Sequence, residues 1–153
     1  MKSETINGEK YEYKYDAHSN ITDVTKDGVL QYHYGYDMMN QLVSVDDKLN
    51  GKVYNYTYDA GGNLISETVT DSNGTTSNAY EYNNSNWGDV LTSYNGQSIT
   101  YDEIGNPLTY RDGMSMTWKN GRQLTTLTNG DTSINYGYDS DSVRTTKTVN
   151  GVK

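Results

Sequence analysis

The sequence predicts an all-β fold, a repeat array of consecutive β-hairpins forming a curved or spiralling antiparallel sheet, and three observations carry that prediction. Tyr-x-Tyr-Asp followed by a Gly/Asn turn recurs about every 21 residues. An Asn-Gly or Asp-Gly dipeptide falls between successive copies, the strongest short-range hairpin signal because these residues tolerate positive φ at least cost. No stretch keeps a helical apolar stripe, whereas the β-formers Tyr, Thr and Val dominate.

The copies align as words. Tyr13-Lys14-Tyr15-Asp16-Ala17-His18-Ser19-Asn20-Ile21 matches Tyr34-Gly35-Tyr36-Asp37-Met38-Met39-Asn40-Gln41-Leu42. The fullest copy is Tyr56-Thr57-Tyr58-Asp59-Ala60-Gly61-Gly62-Asn63-Leu64. Weaker copies follow at Tyr80-Glu81-Tyr82-Asn83, at Tyr101-Asp102 through Gly105-Asn106-Pro107-Leu108, at Trp118 through Leu124, and at Tyr136-Gly137-Tyr138-Asp139. The anchoring aromatic stands at 15, 36, 58, 82, 101, 118 and 138, which defines seven units. The second punctuation is Asn7-Gly8, Asp27-Gly28, Asn50-Gly51, Asn73-Gly74, Asn95-Gly96, Asp112-Gly113, Asn129-Gly130 and Asn150-Gly151. Each unit is therefore a hairpin with a type I′ tip, and the Asp-x-x-Gly-Asn turn joins one hairpin to the next.

With 33% apolar residues and no Phe, the 16 tyrosines must supply the packing. Alternation places Tyr11, Tyr13 and Tyr15 on one strand face, with Tyr32, Tyr34 and Tyr36 and then Tyr54, Tyr56 and Tyr58 repeating the pattern as an aromatic ladder. The opposite face carries Glu12, Lys14, Gln31, His33, Gly35, Asn55 and Thr57 and meets water. Aliphatic residues fall on the second strand of each unit: Ile21 and Val24, Leu42, Val43 and Val45, Leu64, Ile65 and Val69, Val90 and Leu91, Leu124 and Leu127. Cross-strand pairs contribute only about 0.2–1 kcal/mol each, so stability comes from stacking units into one array over residues 1–153. The tyrosine hydroxyls are expected to find partners among the abundant Thr, Asn and Ser side chains.

Charge and composition narrow the function classes. The net charge of −8, with 20 acidic against 12 basic residues, argues against nucleic acid or an anionic membrane surface as partner. The chain opens without the apolar stretch of a secretory signal and contains no membrane-spanning run. Zero cysteines excludes disulfides and Cys-based zinc sites. The first strand, near Lys2 to Ile6, and the last, near Arg144 to Val149, each read as half of a unit without a cap. The expectation is a piece of a longer array whose terminal strand edges self-associate.

These words resemble the YD repeats of the RHS (rearrangement hotspot) family across essentially the whole chain. Tyr56 to Leu64 is close to the family consensus. Trp87-Gly88-Asp89-Val90-Leu91, Tyr101 to Leu108, Gly121-Arg122-Gln123-Leu124 and Arg144-Thr145-Thr146-Lys147 are similar to the last repeats before the RHS-associated core domain in large proteins of Gram-positive gut bacteria. The resemblance implies a hairpin sheet that spirals into a hollow shell, as in insecticidal toxin complexes, polymorphic toxins, cell-wall-associated proteins and teneurins. It implies a secreted or cell-surface location, partnership with the remaining repeats of a parent protein, and an enclosed effector. The downstream segment whose Asp-Pro motif performs self-cleavage in the toxins has no counterpart, since the single proline, Pro107, follows Asn106. The pattern also departs at Ser142 in place of Gly, at Lys119 and Asn83 in place of Asp, and through inserted residues between Asn83 and Gly88.

Candidate chemistry is sparse. Asp16, Asp37, Asp59, Asp102 and Asp139 recur in register, and a carboxylate at that place accepts hydrogen bonds from backbone N–H groups one or two residues on. That makes them fold determinants together with Tyr13, Tyr15, Tyr34, Tyr36, Tyr56, Tyr58, Gly62, Asn63, Leu64, Tyr101, Gly105, Asn106, Trp118, Tyr136 and Tyr138. The Gly-Gly-x-Gly-x-Asp signature of a calcium β-roll is missing. His18 and His33 lie in different units without a nucleophile elbow or metal motif, and the Asp46-Asp47 and Asp139-Ser140-Asp141 tips read as solvated loops. Sequon matches such as Asn20-Ile21-Thr22 are expected by chance in so Asn-rich a chain. Trp118 replaces the anchor tyrosine and reads as packing, whereas Trp87, in the irregular unit, is the candidate glycan contact. The expectation is a non-enzymatic shell segment without metal or cofactor that encapsulates or displays an effector. The alternative is a module binding carbohydrate or a cell-surface partner.

Overall fold

The structure, a computed structural model, describes residues 2–153. These fall into two compact units, one ending at Tyr80 and the other running Glu81–Lys153. Every regular element among the described residues is a β-strand.

The first unit is a meander of antiparallel strands in sequence order: β1 (Lys2–Ile6), β2 (Glu9–Tyr15), β3 (Ile21–Lys26), β4 (Val29–Tyr36), β5 (Leu42–Asp47), β6 (Lys52–Tyr58), β7 (Leu64–Asp71) and β8 (Gly74–Glu81), whose last residue lies in the second unit. The second unit holds a short hairpin, β9 (Ser93–Tyr94) with β10 (Gln97–Ser98). A five-stranded meander follows: β11 (Thr109–Tyr110), β12 (Met114–Lys119), β13 (Gln123–Asn129), β14 (Thr132–Tyr138) and β15 (Arg144–Val149).

The two strand faces differ along β6. Tyr54, Tyr56 and Tyr58 are half-buried, while Val53, Asn55 and Thr57 between them are exposed. The expected ladder of tyrosine on tyrosine does not form. Each tyrosine strand is separated from the next by an aliphatic strand, so Tyr13 lies opposite Val24, which lies opposite Tyr32, and Val45 sits between Tyr34 and Tyr54. The stacked ring pair, Tyr32 and Tyr34 with centroids 6.0 Å apart, lies within one strand. Rings therefore pack on β-branched and leucine side chains.

A β-bulge puts the aliphatic residues there. The register shifts immediately before the anchor aromatic at Tyr15, Tyr36, Tyr58, Trp118 and Tyr138, leaving Thr22, Val43, Ile65, Thr125 and Thr145 as the extra residue in the partner strand. Residues three apart, such as Ile21 and Val24 or Leu42 and Val45, would face opposite ways on a regular strand. The bulge returns both to the tyrosine face. Leu64 then pairs with Tyr58 and Val69 with Tyr54, whereas Ile65 is turned toward solvent.

The hairpin tips follow the sequence at five places. Asn7-Gly8, Asp27-Gly28, Asn95-Gly96, Asp112-Gly113 and Asn150-Gly151 carry positive φ at both residues, the type I′ signature, although at Asp112-Gly113 the pairing of Tyr110 with Met114 brings Arg111 into the loop as well. The other three depart. Asp47 pairs with Lys52, so Asn50-Gly51 ends a four-residue loop tied by the Asp47 carboxylate to the Asn50 N–H at 3.0 Å and Nδ2 at 2.8 Å. Strand pairing moves the other two tips by one residue, to Ser72-Asn73 and to Gly130-Asp131.

No large apolar core underlies these strands among the described residues. Among the described residues the buried side chains are Ile99, Asp47, Ser93 and Asn106, the last only 2% exposed. Half-buried rings and hydrogen bonds carry what a core carries in an ordinary sandwich.

Candidate functional site

The recurrent feature of the molecule is the anchor turn. Asp16 Oδ1 accepts from the N–H groups of His18 and Asn20, both at 2.9 Å. Asp37 does so from Met39 and Gln41 (2.8 and 2.9 Å), Asp59 from Gly61 and Asn63 (2.8 and 2.9 Å), Asp102 from Ile104 and Asn106 (3.1 and 2.8 Å), and Asp139 from Asp141 and Val143 (both 3.0 Å). The bonds thus reach two and four residues on, rather than one or two. Where the fourth residue is Asn, its Nδ2 also donates to Oδ2: Asn20 at 3.0 Å, Asn63 at 2.9 Å and Asn106 at 2.7 Å.

The backbone closes the same loop. The Asp N–H donates to the carbonyl four residues on, and the Asp carbonyl accepts from the residue three on. That third residue has positive φ: Ser19, Asn40, Gly62, Gly105 and Ser142. Gly and Asn adopt this conformation cheaply, and Ser142 adopts it despite replacing the usual glycine.

These bonds depress the carboxyl pKa. Asp16 is held below the ordinary range chiefly by the Asn20 side chain, and Asp59 by the Asn63 side chain and backbone. For Asp102 the largest influence is desolvation, which raises the value. The combined bonds from Asn106 and Ile104 outweigh it and leave the pKa lowered.

The anchor aromatic forms a latch between successive hairpins. Tyr36 Oη donates to the Ile21 carbonyl (2.9 Å), Tyr58 to Leu42 (2.7 Å), Tyr101 to Leu91 (2.8 Å) and Tyr138 to Leu124 (3.0 Å). Trp118 replaces tyrosine and keeps the bond, its Nε1 donating to the Pro107 carbonyl at 2.7 Å. The acceptors are backbone carbonyls in the preceding unit, so the expected Thr, Asn and Ser partners are corrected. Tyr13 instead donates to Glu4 Oε1 at 2.6 Å. Burial raises the pKa of Tyr36, Tyr58 and Tyr101, keeping each hydroxyl a donor.

Turns also touch one another. Asn20 Nδ2 donates to Asn40 Oδ1 at 2.9 Å, and Asn106 Nδ2 to the Gly121 carbonyl at 2.7 Å. Arg122, which the sequence offered only as part of the Gly121-Arg122-Gln123-Leu124 word, donates from Nη2 to the Ile104 carbonyl at 2.8 Å. It bridges the turn that lacks the repeat Asp, where Lys119 stands instead.

The two histidine side chains lie apart from the anchor turns' shared bonding pattern. His33 Nδ1 lies 3.0 Å from Asp23 Oδ1 on the exposed face, and this contact is the first cause of the lowered Asp23 pKa. His18 contributes its backbone N–H to Asp16. Among the described residues no group of His, Cys, Asp or Glu is placed to hold a metal ion.

The irregular unit differs from the rest. Anchor and latch acceptor are six residues apart in regular units, Tyr15 to Ile21 or Tyr36 to Leu42, but nine apart between Tyr82 and Leu91. The added residues form a loop fixed by Asn84 Oδ1, which accepts from the N–H groups of Asn86 and Trp87 at 2.9 and 3.0 Å. Trp87 rests its ring on Gly105 yet stays 45% exposed. It borders a hollow of about 460 Å³ with Asn86, Tyr101 and Glu103.

A meander of bulged hairpins with recurrent aromatic latches and recurrent Asp turns defines a YD-repeat shell protein. The chain belongs to the teneurin YD-shell family, whose model matches residues 2–152. A chain in the TcdB2-TccC3-Cdc42 crystal structure has a similar fold, with a TM-score of 0.54 and 18% identity over 92% of this chain. This chain spans 10% of that one. No curated protein matches the sequence.

Proposed function

We propose that this chain is one continuous, non-catalytic stretch of shell wall that encapsulates or displays an effector within a secreted or cell-surface protein. The observation that carries the reading is the latch. A bond made backward to the previous unit at Tyr36, Tyr58, Tyr101, Trp118 and Tyr138 builds a wall, whereas a catalytic group is needed once. The recurrent Tyr and Asp residues are then structural, and the remaining repeats of the parent are its first partners.

Protease protection tests this in the longer polypeptide that carries the sequence with its effector. The effector should survive protease while the wall is intact, and become cleavable when Tyr58→Ala and Asp59→Ala open it. An effector digested equally fast with and without those substitutions would overturn the proposal.

A second reading is favoured by Trp87 alone. An exposed indole beside Asn86 and Glu103, whose side chains make no hydrogen bond among the described residues, offers a stacking face and polar groups to a neutral sugar. Lactose, cellobiose and diacetylchitobiose should perturb tryptophan fluorescence in the native protein and not in Trp87→Ala. No change with any of them would remove this reading.

A further inference from the structure

Two hairpin tips are a matched pair. Asn7-Gly8 and Asn150-Gly151 have the same dipeptide, the same exposure class and nearly the same backbone, with φ 52° and 86° in the first and 50° and 83° in the second. They differ in the asparagine side chain. Asn150 Oδ1 accepts from the Ser133 N–H at 2.7 Å while its own N–H donates to the Ser133 carbonyl at 2.8 Å. Asp27 clamps Lys10 in the same way, at 2.9 and 2.8 Å. The Asn7 side chain makes no hydrogen bond among the described residues, and Gly8 faces open space.

We propose that Asn7 is a covalent modification site: its side chain closes spontaneously on Gly8 to a succinimide, and the Ser133 clamp protects Asn150 from the same reaction. The Gly8 amide nitrogen gives its proton to a solvent base and attacks Asn7 Cγ. The new N–Cγ bond forms as the Cγ–Nδ2 bond breaks, and ammonia leaves with a proton taken from solvent. Water then opens the ring at one carbonyl or the other, giving isoaspartate or aspartate, with no oxidant or reductant required. Glycine is the residue that admits this attack, because no side chain shields its nitrogen. The clamp opposes it by holding the Asn150 amide on the neighbouring strand, away from its own backbone. Two further Asn-Gly pairs are tied too: Asn50 Nδ2 to Asp47 at 2.8 Å and Asn120 Nδ2 to Gln123 at 2.9 Å.

The product has a structural consequence. Isoaspartate adds an atom to the backbone and a negative charge beside Glu9, where the tip must close Ile6 onto Glu9. A type I′ turn has no room for that atom, so β1 is released from β2.

Peptide mapping by mass spectrometry after incubation of the folded protein in mildly alkaline buffer is the test, with isoaspartate separated from aspartate. Loss of one net hydrogen bond corresponds to roughly a fivefold rate difference, and Asn7 should convert faster than Asn150 by about that factor. In denaturant the two rates should converge. Equal rates in the folded protein, or a faster Asn150, would overturn the proposal and assign the Ser133 N–H to polarising the amide. A ratio that persists unchanged in denaturant would also overturn it, because neighbouring sequence and not the clamp would then set the rates.

Discussion

At the scale of the residue, one hydroxyl and one carboxylate do most of what the repeat requires. Tyr58 and Tyr56 lie on the same face of β6, but only Tyr58 donates to a backbone carbonyl, that of Leu42. Tyr58→Phe leaves that carbonyl without its donor and should cost about 1 kcal/mol. Tyr56→Phe, which breaks no such bond, should stay within about 0.5 kcal/mol. Urea unfolding of both variants checks the difference. The carboxylates set the acid limit. Asp16, Asp59 and Asp102 have folded pKa values below their ordinary range, so their contribution is complete above the unfolded value of about 3.9. It is lost as pH falls through the lower folded value. Asp59→Asn should therefore be less stable than the native protein at neutral pH and should lose less on acidification. An acid limb as steep in the variant as in the native protein would place the sensitivity elsewhere.

At the scale of the element, the bulge decides which side chains share a face, and its signature was legible. Ile21/Val24, Leu42/Val45 and Leu124/Leu127 are each three apart, a spacing that no regular strand places on one face, and the register shift resolves all of them. Unbroken alternation misassigns Val43 and Ile65 for that reason. The Tyr-x-Tyr-Asp words located the anchor turns, because an Asx turn depends on residues adjacent in sequence. The latch was not legible, since its acceptor is a backbone carbonyl 10 to 16 residues earlier and no side chain marks it. The glycine before the anchor makes a further difference between units. An added methyl at Gly35 would strike the Ser44 hydroxyl, and one at Gly137 would strike the Thr146 hydroxyl. Serine can swing its single Oγ aside, whereas β-branched threonine is stiff at χ1. Gly137→Ala should lose about 1–3 kcal/mol by overpacking, Gly35→Ala should lose less, and Thr146→Ser should restore part of the Gly137→Ala loss. Thermal unfolding of the three variants decides it.

At the scale of the whole molecule, a chain with 33% apolar residues and few buried side chains among the described residues is held by bonds that recur along the array. Family membership accords with this, since a wall gains from identical joints more than from one central core. The measurement that tests the claim most directly is amide hydrogen exchange, read residue by residue. The amides of Asn20, Gln41, Asn63, Asn106 and Val143, each bonded to an Asp Oδ1 four residues back, should exchange slowly as a set. Those of Ala17, Met38 and Ala60, in the same turns, should exchange fast. If Asn63 exchanged as fast as Ala60, and the other anchor amides likewise, the turns would be ordinary loops and the repeated joint would not be what holds the array together.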